Sequence, residues 1–160
     1  VLKRLGSTPL GRGRWLAAKV ATVATIEVGQ VAVLAMVGAA LGWRPPPTWP
    51  LGLVALALGT AAFAGIGLAL AGRLPALANL AATNSLYLVL LLIGGMVVPI
   101  DKFPAPLAAV AHALPAAPLA GLTVTTMGPE SFATGWLWGV LAGWAIIAPL
   151  VAARTFRWDG

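Results

Sequence analysis

Four apolar stretches, 16–42, 51–72, 80–98 and 136–153, take up more than half of this 160-residue chain and constrain its fold more than any other feature. Roughly 20 apolar residues in helical form cross the ~30 Å hydrocarbon core of a bilayer, and each stretch approaches or exceeds that length. Lipid offers backbone N–H and C=O groups no partner, and the alternating pattern of a barrel strand is missing, so helix is the workable form. The fold expected is all-α: a polytopic membrane helical bundle with four transmembrane helices and a broken, re-entrant helical segment on the outer side. Charged residues are only 9% of the chain and hydrophobic ones 60%, whereas a soluble domain carries about 25% charge. Bilayer replaces water as the solvent for most of this surface.

An even number of spans puts both termini on one side, and lysine and arginine say which. Lys3, Arg4, Arg12, Arg14, Lys19, Arg73, Arg154 and Arg157 fall on one face, Arg44 and Lys102 on the other. By the positive-inside rule residues 1–15, the turn at Arg73 and the tail 154–160 are cytoplasmic, in a cell membrane. Trp15 and Trp158 then mark the inner boundary, and Trp43, Trp49, Trp136 and Trp138 the outer one, as an interfacial aromatic belt requires. Trp144 alone lies deep. The net charge of +6 suits anionic headgroups better than nucleic acid, because the basic residues flank spans instead of forming a domain. With no cysteine, disulfides, thiolate metal sites and palmitoylation are excluded.

The segment 99–135 is neither a span nor a polar loop. Phe103, Leu107, Val110, Leu114 and Leu119 alternate there with Pro99, Pro104, Pro106, Pro115 and Pro118, a pattern of short, broken, half-apolar helices in the outer interface. Pro99, Phe103, Pro104, Leu114 and Pro115 are candidates for an outer gate; the segment is either a lid over a pathway or an interfacial helical loop without a gating role.

Glu27 is the one acid inside a span, where insertion costs ~2.5–3.5 kcal/mol, so it is expected to face protein or water. With Gln30, Thr22 and Thr25 nearby it is either a substrate-path or dimer-seam site, or a hydrogen-bonded carboxyl fastening helices. The second is favoured, since one acid with no basic partner in the spans makes a poor relay. Asn79, Thr83, Asn84 and Ser85 at the entrance of the third span either bond across helices or line a wet helix end. Gly135, Gly139 and Gly143 form a GxxxGxxxG row, and Ala61, Gly65 and Ala69 a second small row; both are expected to let helices approach closely, within a protomer or between two, with packing inside the protomer the default because small residues are so abundant. His112 has no Cys, His or carboxylate at ligand spacing, so no metal site is expected.

No GxxxxGK[ST], GxSxG, HExxH or aspartate cluster is present, so if this protein uses energy, another chain is expected to supply it. Leu2-Lys3-Arg4-Leu5-Gly6-Ser7-Thr8-Pro9-Leu10, followed by Trp15 and Lys19, resembles the cytoplasmic loop before the third span of ABC-2 type transporter permeases, the family of daunorubicin-type drug exporters and bacterial lipid or polysaccharide exporters. Gly95-Met96-Val97-Val98-Pro99-Ile100 to Phe103-Pro104 is similar to that family's stretch leaving its fifth span, and Leu114-Pro115 to the L-P of its outer re-entrant segment.

The resemblance implies the carboxy-terminal portion of a six-span permease. It implies a translocation path for an amphipathic drug, lipid or glycan, with ATP and magnesium bound by a partner ATPase subunit. No cofactor would sit on this chain, which would be non-catalytic, and a second permease subunit, identical or different, would complete the path. It further implies that Lys3, Arg4, Leu5, Thr8, Pro9, Leu10 and Arg12 dock on the ATPase. A Thr-Pro break fixes the exit from a short helix, and the basic residues offer charge to a partner; a plain positive-inside anchor accounts for the arginines but not for the ordered Ser-Thr-Pro-Leu. The rival from another class is a non-transporting membrane anchoring or assembly module.

Overall fold

The computed structural model describes residues 12–128 and 135–155, and every described element is helical. Among the described residues six α-helices follow one another: α1 (Arg12–Ala40), α2 (Trp49–Ala71), α3 (Ala76–Ile93), α4 (Ala105–Ala113), α5 (Ala116–Met127) and α6 (Gly135–Thr155), with a 3-10 turn at Ile100–Lys102. Of these, α1, α2, α3 and α6 are long and apolar enough to cross a membrane, and α4 and α5 form one pair bent by 80°. The chain divides into two units, Val1–Arg44 and Pro45–Gly160.

In the first unit α1 ends in a Schellman-type stop. Gly42 takes a φ of +90°, which only glycine adopts freely. Its N–H bonds to the Ala39 carbonyl at 3.0 Å, and the Trp43 N–H to the Gly38 carbonyl at 2.8 Å, satisfying carbonyls that the helix end would otherwise orphan. The Trp43 ring covers Gly38, where an added Cβ would sit 3.4 Å from it.

In the second unit α2 is the axis of packing. It buries Gly52, Ala55, Gly59, Ala62 and Gly65, a stripe of small residues spaced by three and four that lies on one helix face and lets neighbours come close. Against its N-terminal half runs α5, antiparallel: Gly52 meets Met127 and Thr126, and Gly59 meets Leu119. The Thr48 hydroxyl also donates to the Thr126 carbonyl at 3.0 Å. Along α2, in the same direction, runs α6: Ala55 shares a buried cluster with Leu137 and Leu141, and Gly65 sits on the backbone of Ala148 and Pro149. Leu122 fills the space among them.

While small residues of α2 face inward, many large side chains of α2 and α6 face outward: Leu51, Val54, Ile146 and Ile147 are 49%, 50%, 61% and 58% exposed. That inversion fits lipid as the solvent, where apolar burial gains little and close packing decides which faces meet. Four such helices make this a multi-pass membrane protein.

The helices depart from the sequence boundaries in one instructive place. The third span was expected over 80–98, yet α3 covers Ala76–Ile93. Gly94 closes on Leu90 and Ala116, and Gly95 turns to a φ of +80°, so the apolar Met96-Val97-Val98 lies beyond the helix. Hydropathy reads through a glycine stop that backbone geometry does not.

Candidate functional site

The proline-rich segment between α3 and α6 has the most specific geometry. Pro99 precedes the 3-10 turn and Phe103 ends it, half-buried; Pro104 then opens α4. At the far end Leu114 is extended (φ −86°, ψ 152°) and Pro115 opens α5. Proline at a helix start loses only an N–H that would have no partner anyway, and the residue before it is pushed out of the helical region. Leu114-Pro115 is therefore where the bend falls. Pro99, Phe103 and Pro104 lie at one end of α4, Leu114 and Pro115 at the other, so the five candidates mark two chain breaks instead of one cluster.

Two registers give the depth of that bend. Trp144 Nε1–H donates to the Ala113 carbonyl at 2.7 Å, and Trp144 stands nine residues (144 − 135) into α6, about 14 Å along it at 1.5 Å per residue. Independently, Leu119, just past the bend, packs on Gly59 near the middle of α2. Half of a ~30 Å core is about 15 Å, so the bend reaches the middle of the span length and α5 climbs back to the start of α2. Since α2 and α6 run in the same direction with α3 between them, the bent pair α4–α5, which has the form of a broken span or a re-entrant loop, matches the broken, re-entrant segment expected between the third and fourth spans.

The bend is well packed. Pro115, Ala116, Ala117 and Pro118 are all buried, and Ala116 lies against Gly94 at the end of α3. His112 meets the Trp136 ring edge-on at 4.8 Å, and its Nδ1 is buried with no hydrogen-bond partner among the described residues. Thr123, Thr125 and Thr126 donate to the Leu119, Gly121 and Leu122 carbonyls of their own helix. Their hydroxyls are thus engaged locally and leave the inner face of α5 apolar.

In α1 Glu27 is half-buried and Gln30, one turn on, is exposed. A shallow furrow on this helix is lined by Ile26, Gly29, Gln30, Val33 and Leu34. The neighbouring threonines do not join that group: Thr22 and Thr25 donate to the Ala18 and Ala21 carbonyls at 2.9 and 2.8 Å. Asn84 is exposed on α3, while the Oδ1 of Asn79 is buried without a partner among the described residues. No group of three or more His, Cys, Asp or Glu side chains gathers among the described residues.

At Gly135, Gly139 and Gly143, where close helix packing was expected, a Cβ would meet nothing within 4 Å among the described residues. Only Gly65 of the expected small residues stands at a backbone-to-backbone crossing; Gly52, Ala55, Gly59 and Ala62 were missed, although their spacing of three and four is legible. Arg12 opens α1, whereas Lys3, Arg4, Leu5, Thr8, Pro9 and Leu10 lie outside the described residues. No family model, curated protein or solved structure matches the chain.

Proposed function

We propose that this chain is the membrane-spanning permease part of an ABC-2 type exporter. On this reading it forms one wall of an outward path for an amphipathic drug, lipid or glycan, in the cell membrane with both termini cytoplasmic. ATP and magnesium act on a separate ATPase subunit that docks on the segment from Lys3 to Arg12, and a second permease subunit supplies the opposite wall. What supports the reading above all is the bent pair between α3 and α6. Its bend falls on Leu114-Pro115, the dipeptide that resembles the family's outer re-entrant segment. Irregular backbone at membrane depth persists only where protein or a watery path satisfies it, so a bend at mid-span is a natural lining for an outer mouth.

Co-purification tests this. Extracted in mild detergent from its native membrane, the chain should elute with a polypeptide that carries Walker motifs, in equal amount, and lose it when 2–10 is replaced by a Gly-Ser stretch. Elution without any ATPase would instead favour the anchoring or assembly module.

A further inference from the structure

We propose that α4 is a flap that pivots about Leu114-Pro115, and that Trp144 is the latch holding it shut against α6. The inference deepens the exporter reading by assigning the outer barrier to a particular hinge and bond, and the latch is measured without an ATPase. Three observations carry it.

The pivot is fixed: Pro115 and Pro118 are among the largest fully buried side chains, and Ala116 rests on Gly94. The arm is not. Along α4 only Ala111 is buried, Leu107 and Val110 are 38% and 53% exposed, and the helix packs mainly on its own chain neighbours.

Two contacts tie the arm to α6. One is the T-shaped pair of His112 and Trp136, the other the bond from Trp144 Nε1–H to the Ala113 carbonyl. The second has a chemical reason to act as a switch. Ala113 ends α4; the next residues turn away by 80°, and Pro115 has no N–H to offer. Ala113 and its bond to Trp144 are exposed at the surface of this chain, so without Trp144 the Ala113 carbonyl would keep an open lone pair, a costly state in apolar surroundings and a harmless one in water. The latch therefore favours the shut arm while the mouth is dry. Water or a polar group of an amphipathic cargo, which can serve both the indole N–H and the carbonyl, releases it.

Nanodisc-embedded full-length chain carrying Ala111→Cys, read by its rate of reaction with a small water-soluble maleimide, tests the proposal. With Trp144 present, Ala111→Cys should react far more slowly than Leu107→Cys. Trp144→Phe keeps the ring and removes the donor, and should raise the Ala111→Cys rate about three- to thirty-fold, the effect of losing one interhelical hydrogen bond in a membrane. Ala55→Cys, in the buried cluster of α2, should not change. Equal rates at Ala111→Cys and Leu107→Cys with Trp144 intact would overturn the flap. An unchanged Ala111→Cys rate in Trp144→Phe, or a parallel rise at Ala55→Cys, would overturn the latch, whatever the outcome of ATPase co-purification.

Discussion

Gly65→Leu should prevent α2 and α6 from closing and leave no folded protein to extract, while Gly65→Ala should lower the thermal midpoint and Gly67→Leu should change little. An added Cβ at Gly65 would stand 2.5 Å from the Pro149 nitrogen and 2.6 Å from the Ala148 carbonyl carbon. Both are backbone atoms, and no rotamer change can move them aside. Overpacking commonly costs about 1–3 kcal/mol even where side chains can yield; here a whole helix must shift, so leucine should exceed that range. Proline inside α6 makes the site more demanding, because Pro149 has already given up the hydrogen bond to the carbonyl four residues earlier. At Gly67 nothing lies within 4 Å. Fluorescence-detected size exclusion after a heating series reads all three variants. A Gly65→Leu chain that melts like the parent would mean that the two backbones do not cross there.

If the chain is the proposed exporter subunit, Leu5→Asp or Leu10→Asp should leave insertion and folding intact and cut export of an amphipathic fluorescent dye, per ATP hydrolysed, about tenfold or more, as loss of a central apolar anchor at an interface does. An apolar side chain on a docking loop is seated in a desolvated pocket of its partner, and a carboxylate there would bring an unpaired charge into it. Lys3→Ala should act more mildly, mainly by slowing association and raising its salt sensitivity. The check is a paired measurement of ATP hydrolysis and dye export in vesicles holding both subunits. Unchanged coupling would remove the docking role from residues 2–10, and loss of insertion would assign them to the fold instead.

Span length and proline placement carried most of the fold into the sequence. Apolar runs at 16–42, 51–72 and 136–153 became helices Arg12–Ala40, Trp49–Ala71 and Gly135–Thr155, because in lipid a run of that length has no other way to satisfy its backbone. Pro104, Pro106, Pro115 and Pro118 likewise announced a broken segment. What the sequence left open was which faces meet. Glycine and alanine are so frequent that spacings of three and four occur on several sides of each helix. A GxxxG row says that a backbone can be approached, not that another helix arrives. Hence Gly135, Gly139 and Gly143 drew attention while Gly52 and Gly59 carried the packing. Trp144 was legible as the tryptophan outside the interfacial belt, and an indole N–H at depth needs an acceptor; that the acceptor is the Ala113 carbonyl follows only from the bend.

Whether the α4–α5 pair enters and leaves by the same side is tested most directly by one comparison. Three single-cysteine proteins, Arg73→Cys, Lys102→Cys and Ser131→Cys, are labelled in intact cells with a membrane-impermeant maleimide. Arg73 follows α2, Lys102 ends the 3-10 turn ahead of α4, and Ser131 falls between α5 and α6. A re-entrant pair predicts that Lys102→Cys and Ser131→Cys react from outside and that Arg73→Cys reacts only after the membrane is opened. Reaction of Lys102→Cys and Ser131→Cys from opposite sides would make the pair a crossing span and contradict the account.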